Sequence, residues 1–205
     1  AHRDLHSFPT RRSSDLAFFH PRLPNEPLIF VEIALTKGAP GNVQLLLDQG
    51  APLQDPRNAD TAVFYSISNT QKGLRGISFG NLLLKRVIED LRRDLPRLHV
   101  FATLSPLPGF RGWLERQLAE KRALLPLSHD LKFAAALGHP DLGAALADAL
   151  ARPDWQRDPR LCAVLREPME KLCARYLLQE KNGKHAADPV AQFHLNNGAL
   201  VDRIY

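Results

Sequence analysis

Three consecutive segments near the middle of the chain constrain its fold more than any other feature of the sequence. Residues 61–68 alternate in side-chain type as a strand does, and residues 98–104 form a second short apolar run. Between them, residues 78–95 place apolar side chains at steps of three and four, which is typical of an amphipathic helix packed on a sheet. This order predicts two parallel strands joined by a right-handed crossover, and therefore an α/β fold.

The segments before this unit extend the predicted sheet. Residues 27–36 are β-branched and aromatic, and mostly apolar on both faces, which predicts a buried strand. Residues 42–49 group their leucines and stop at Gly50, which predicts a short helix with a glycine after its end.

The segments after the unit change in texture. Residues 111–179 are rich in alanine and leucine and are interrupted by prolines, Pro168 among them, so we expect several short helices there. The sequence of residues 189–194 predicts another short helix. An apolar segment follows it, and we expect this segment to begin a strand that is unfinished at Tyr205.

Composition and charge argue against several functional classes. The formal net charge is +5, but the chain has no lysine-rich tract or aromatic ladder of the kind that marks nucleic-acid binding. The chain has no run of about 18 apolar residues, so no membrane span is predicted. Cys162 and Cys173 have no metal-ligand spacing around them, so we expect neither a disulfide framework nor a metal site. Two reduced cysteines are typical of a cytoplasmic protein, and we expect that location.

The first sixteen residues differ from the rest. Residues 6–16 lack helical or strand periodicity and resemble the conceptual translation of a sequencing adapter, and we expect residues 1–5 to share that origin. We therefore predict that residues 1–16 are a non-native, disordered scar. The remaining segment, residues 17–205, is long enough to bury roughly 70% of the surface that its unfolded chain exposes.

A serine between a predicted strand and a predicted helix is a candidate reactive group. Ser105 is followed by Pro106 and Pro108, and each proline fixes its own φ and restrains the residue before it. One interpretation is that Ser105 starts a turn and caps the helix that begins near Gly109. The other is that it belongs to a ligand site, since ligands of open α/β sheets bind at the carboxyl ends of strands.

The loop before the amphipathic helix is a candidate phosphate site. Residues 71–81 contain three glycines, and backbone amides at a helix N-terminus favour a phosphate together with the helix dipole. Lys72 and Arg75 would add charge-assisted contacts. The alternative is a flexible connector with a helix cap.

This loop resembles the CoA pyrophosphate loop of the Gcn5-related acetyltransferase superfamily, whose pattern is Gln/Arg-x-x-Gly-x-Gly/Ala. Arg75 and Gly80 fit the pattern, while Ser78 replaces the first glycine. Within that superfamily the chain is most similar to the malonyl-CoA decarboxylase family. Four separated motifs carry the resemblance: residues 64–71, residues 75–81, residues 104–110 with Trp113, and residues 193–198.

The resemblance implies a fold, a reaction and a set of site residues. The fold is a Gcn5-related acetyltransferase-like mixed sheet with flanking helices and a helical insertion at about 111–180, truncated at the C-terminus. The reaction is the conversion of malonyl-CoA to acetyl-CoA and carbon dioxide by a carboxy-lyase of fatty acid and malonate metabolism. The catalytic residues fall on Ser105 and His194, which we expect to face one cleft. The malonyl-CoA loop falls on Arg75, Gly76, Ile77, Ser78, Phe79, Gly80 and Asn81.

Further expectations concern the complete protein. It needs no cofactor, because the CoA thioester is itself the substrate, and we expect a homo-oligomer. The family has a helical domain before residue 17 and further strands after Tyr205, so the chain is expected to be a fragment of weak or no activity. Two other functions stay open, a CoA-dependent N-acyltransferase and a non-catalytic CoA-binding module. A serine hydrolase is less favoured, because no Gly-x-Ser-x-Gly elbow surrounds Ser105.

Overall fold

A computed structural model describes residues 13–48, 50, 55–71, 73 and 79–205 of the chain. Contacts between residues divide the chain into two compact units. Unit 1 is Ala1–Ser105, and unit 2 is Pro106–Tyr205. The candidate serine is therefore the last residue of unit 1, and the candidate histidine belongs to unit 2.

Unit 1 is built on a mixed four-stranded sheet with strand order β1-β2-β3-β4. The first two strand pairs are antiparallel, and β3 and β4 are parallel. The predicted strand, helix and parallel strand are thus confirmed, and so is the α/β class. The elements are β1 Ser13–His20, β2 Leu23–Thr36, α1 Gln44–Leu47, β3 Thr61–Asn69, α2 Phe79–Asp94 and β4 Val100–Thr103.

The sheet and α2 share the core of unit 1. In β2 every second residue from Ile29 to Ile33 is buried, and Ala34 and Leu35 after them are buried as well. The leucines and valine that recur along α2 are also buried, and α2 packs against β2. The buried residues of these two elements include Ile29, Val31, Ile33, Leu83, Leu84, Val87 and Leu91.

The expectation of disorder in residues 1–16 is wrong for the last four of them. Ser13 pairs with Ala34 and Leu16 pairs with Val31 across the β1–β2 ladder. A strand at the side of β2 satisfies backbone N–H and C=O groups regardless of side-chain pattern, which explains why periodicity did not reveal it. Residues 1–12 lie outside the described residues. The non-native origin assigned to residues 1–16 stays a prediction.

Unit 2 is mainly helical, as the alanine- and leucine-rich sequence predicts. Its helices surround one apolar cluster that contains Leu114, Phe133, Leu146 and Leu172. The elements are α3 Phe110–Ala119, α4 Leu127–Ala136, α5 Leu142–Ala151, α6 Pro159–Gln179, a small hairpin of β5 Lys181–Asn182 with β6 His185–Ala186, and α7 Pro189–Asn196.

Two local predictions for unit 2 are wrong. Pro168 does not separate two helices but lies buried inside α6. An internal proline costs about 3 kcal/mol, but Leu165, Leu172 and Tyr176 continue the same buried face on both sides of it. The segment after α7 is not a strand, because residues 199–205 have no regular structure.

The two cysteines both lie in α6 and are free thiols. Burial raises the pKa of Cys173 to about 11, so its thiol is protonated at neutral pH. Among the described residues, no group of three or more His, Cys, Asp or Glu side chains could hold a metal ion. Within the same residues, no helix is both long and apolar enough to cross a membrane.

The core of unit 2 yields a stability prediction. Leu172 is fully buried on α6, whereas Leu178 on the same helix is 67% exposed. We expect Leu172→Ala to lower the free energy of unfolding by about 2–5 kcal/mol, because it removes buried methyl groups and leaves a cavity. Leu178→Ala is the control and changes it by less than about 0.5 kcal/mol. Chemical denaturation measures both, and equal losses would contradict the assignment of the core.

Candidate functional site

Ser105 follows directly on the parallel strand pair. The N–H of Leu104 donates to the carbonyl of Phe64 at 3.0 Å, so the ladder continues one residue beyond β4. Ser105 itself is exposed. Ser105 is not the N-cap of α3, because Gly109 occupies that position, so this part of the first interpretation is wrong. That Ser105 starts a turn stays a prediction. Its position at the carboxyl end of a parallel strand agrees with the ligand-site interpretation.

The structure describes the candidate malonyl-CoA loop from Phe79 onward. Arg75, Gly76, Ile77 and Ser78 lie outside the described residues, and Phe79 is the first residue of α2. Gly80 is buried, and Asn81 is half-buried in the first turn of α2. The side-chain oxygen of Asn81 is buried without a hydrogen-bond partner among the residues that the structure describes. The role of residues 75–81 in binding CoA stays a prediction.

His194 lies in the second turn of α7 and is half-buried. Its ring meets that of Phe193 edge to face, with 5.1 Å between ring centroids. Burial lowers the pKa of His194 below the ordinary histidine value, because the protein interior solvates the imidazolium less well than water does.

Asp188 is the N-cap of the helix that carries His194, and it is only 1% exposed. Its Oδ1 accepts hydrogen bonds from the N–H groups of Val190 at 2.9 Å and Ala191 at 3.1 Å. Its Oδ2 accepts the N–H of Gly109 at 3.0 Å, across 79 residues of sequence. One buried carboxylate therefore joins the start of α7 to the start of α3.

One member of an aromatic cluster contacts this carboxylate. The hydroxyl of Tyr176 donates to Oδ2 of Asp188 at 3.5 Å. Burial and the nearby negative charge of Asp188 raise the pKa of Tyr176, so the phenol keeps its proton. The rings of Phe110, Trp113 and Tyr176 lie with their centroids 5.4–5.8 Å apart. Gly109 packs so closely on this group that a Cβ atom there would collide with the Tyr176 hydroxyl.

The predicted site residues are therefore divided between the two units. Ser105 and α2 belong to unit 1, and His194 belongs to unit 2. The prediction that Ser105 and His194 face one cleft stays a prediction. Sequence reasoning missed Asp188, although the Asp-Pro pair at 188–189 is a readable helix start. Its bond to Gly109 has no local sequence signal.

Sequence comparison relates the chain to malonyl-CoA decarboxylases. A family model described as the malonyl-CoA decarboxylase C-terminal domain matches residues 6–205. The mitochondrial malonyl-CoA decarboxylase of the goose Anser anser anser is 37% identical over 194 residues, which are 91% of this chain and 38% of the relative. That of Mus musculus is 37% identical over 195 residues, covering 91% of this chain and 39% of the relative.

Solved structures give the same relationship. The crystal structure of malonyl-CoA decarboxylase from Rhodopseudomonas palustris matches with a TM-score of 0.77 at 45% identity, and it covers 94% of this chain and 41% of that one. The crystal structure of malonyl-CoA decarboxylase from Agrobacterium vitis matches with a TM-score of 0.77 at 42% identity. This match covers 93% of this chain and 44% of the other. The chain spans about two fifths of the length of these relatives.

The burial of His194 predicts a pH dependence. Its titration midpoint, followed by NMR of the imidazole, should lie below the value of about 6.5 found in unstructured peptides. Because the unfolded chain then binds the proton more tightly, the folded protein loses stability as the pH falls below about 6.5. His194→Asn should remove this part of the pH dependence. A midpoint at or above the peptide value would contradict the burial argument.

The contact of Gly109 with Tyr176 predicts a rescue. Gly109→Ala should lower the free energy of unfolding, because the new methyl group collides with the tyrosine hydroxyl. Tyr176→Phe removes that oxygen, so the double variant should recover part of the loss. Gly112→Ala is the control within α3, since its methyl group would meet only an ordinary contact at 3.6 Å from Arg116. Equal effects at both glycines, measured by thermal unfolding, would count against the close packing.

Proposed function

Because this chain belongs to the malonyl-CoA decarboxylase C-terminal domain family, we propose that the complete protein converts malonyl-CoA to acetyl-CoA and carbon dioxide. The observation that carries the proposal is the family match over residues 6–205, which includes both Ser105 and His194. The chain is 37–45% identical to proteins named malonyl-CoA decarboxylase over nearly its whole length.

The chemistry sets three demands on the site. The bond between the carboxylate carbon and the α-carbon breaks, carbon dioxide leaves, and the electron pair becomes an enolate of the thioester. The site must hold the carboxylate out of the thioester plane, stabilise the developing oxyanion, and return a proton to the α-carbon.

We assign roles in substrate binding and proton transfer to three elements. Ser105 hydrogen-bonds the malonyl group from the end of the parallel strand pair. The N-terminus of α2, with the loop of residues 75–81 before it, binds the CoA pyrophosphate through backbone amides and the helix dipole. His194 donates the proton to the α-carbon. Residues 111–180 are then a helical insertion in a Gcn5-related acetyltransferase-like domain.

The lowered pKa of His194 has two opposing effects on its proposed role as proton donor. Burial makes its imidazolium a stronger acid, but it also makes that form less populated in the free protein near neutral pH. A bound substrate anion would favour the imidazolium through its opposite charge. The rate at low substrate concentration should therefore depend on the protonation of His194 in the free enzyme.

For the complete protein we further propose a homo-oligomer in the cytoplasm. The bacterial origin of the matching crystal structures supports the location. The matching goose and mouse proteins are named as mitochondrial, so the cytoplasmic location is proposed for this protein and not for them.

An assay with malonyl-CoA tests the catalytic assignment. In the full-length protein, Ser105→Ala and His194→Asn should each reduce the formation of acetyl-CoA by about 10²–10⁴-fold. Ser128→Ala and His129→Asn are matched controls, since the exposed Ser128 and the half-buried His129 lie in α4. Full activity in the Ser105 and His194 variants would refute the assignment. Acetyl transfer to an amine without decarboxylation would refute the proposed reaction.

A pH profile tests the role of His194 as proton donor. Because kcat/KM reports the pKa values of the free enzyme, it should fall as the pH rises through the lowered pKa of His194. This fall of kcat/KM with rising pH should be absent in His194→Asn. A kcat/KM that rises over the same range would show that the neutral imidazole acts instead, as a base.

A further inference from the structure

The buried carboxylate of Asp188 bonds to two segments that each lead to a proposed catalytic residue. In one direction it caps α7, which carries His194. In the other it binds the amide of Gly109, four residues after Ser105. We infer that Asp188 is a positioning residue for the decarboxylation, which fixes the helix of His194 to the segment that follows Ser105. This inference rests on the proposed function.

The link to His194 is short and direct. His194 lies six residues after Asp188, which is about 9 Å along a helix. Helix α7 has only 8 residues, and a helix of that length is marginal without tertiary support. Its first-turn amides are held by Asp188 Oδ1, so the orientation of the helix depends on where this carboxylate is fixed.

The link toward Ser105 runs through a stiff segment. Pro106 and Pro108 lie between Ser105 and Gly109, and each has a fixed φ. The N–H of Phe110 donates to the carbonyl of Leu107 at 3.1 Å, which closes the turn before α3. The segment between Ser105 and Gly109 therefore has fewer free backbone dihedrals than an ordinary segment of the same length.

Comparison with two other N-caps shows what is particular to Asp188. Asp141 accepts a hydrogen bond from Ala144 in its own helix, and Asp158 accepts from Arg160 and Leu161 in its own helix. Both are exposed, and Asp188 is buried. An N-cap needs one carboxylate oxygen, so the second oxygen of Asp188 is available for the bond to Gly109.

This division of the two oxygens suggests a selective variant. Asp188→Asn keeps one acceptor oxygen for the cap of α7, but it points an N–H₂ group at the N–H of Gly109, so the bond between the helices is lost. Asp158→Asn is the matched control, because asparagine caps a helix about as well as aspartate and, among the described residues, the Asp158 side chain is recorded as bonding only to its own helix.

Kinetics of the full-length protein at a temperature where all variants are folded tests the inference. Misplacement of catalytic groups by about 1 Å costs about 100-fold in rate, so Asp188→Asn should lower kcat by about 10- to 100-fold. The KM for malonyl-CoA should change less than kcat, because binding of the CoA pyrophosphate is assigned to residues 75–81 and not to Asp188. A kcat equal to that of Asp158→Asn would overturn the inference and leave the proposed function intact.

Hydrogen exchange provides a readout that does not depend on turnover. In Asp188→Asn the amide of Gly109 should exchange faster, while the amides of Val190 and Ala191 keep their protection. Unchanged exchange at Gly109 would overturn the inference whether or not the protein is active. An unmodified full-length protein that does not decarboxylate malonyl-CoA would refute the proposed function, and the positioning role would fall with it.

Discussion

The helices of unit 2 that bear on function meet at one buried carboxylate. Asp188 takes three backbone N–H groups and the Tyr176 hydroxyl, and it lies at the N-termini of both α3 and α7. Burying a carboxylate costs several kcal/mol, so it is stable only where donors and favourable dipoles surround it. That requirement explains the neighbouring features: a glycine at 109, a protonated tyrosine, and a proline at 189 that needs no hydrogen-bond acceptor.

The two units supply different parts of the proposed chemistry. Unit 1 offers what a parallel strand pair and its crossover helix offer in any α/β sheet, a strand end with Ser105 and a helix N-terminus beside it. Unit 2 offers a proton carrier whose pKa is lowered by burial. The proposed decarboxylation uses both. Because Ser105 is bonded directly to the first residue of unit 2, the segment 106–109 is the covalent path between the two parts.

The sequence predicted those features that leave a periodic or local signal. The strand, helix and strand around α2 followed from hydrophobic spacing, and α7 followed from an apolar segment after Pro189. Strand β1 escaped because backbone pairing with β2 needs no pattern of its own, and the unbroken α6 escaped because burial on both sides of Pro168 outweighs the proline. The bond from Asp188 to Gly109 joins residues 79 apart in sequence, and only the packing of the helices reveals it.

A crystal structure of the full-length protein with an unreactive malonyl-CoA analogue would test the central claim most directly. We predict that the malonyl group lies within about 2.6–3.2 Å of both the Ser105 hydroxyl and the His194 ring. In the same structure, Asp188 should bridge the amide of Gly109 and the first turn of α7. A malonyl group bound away from either residue would contradict the account. So would an Asp188 carboxylate turned away from Gly109 while both residues contact the ligand.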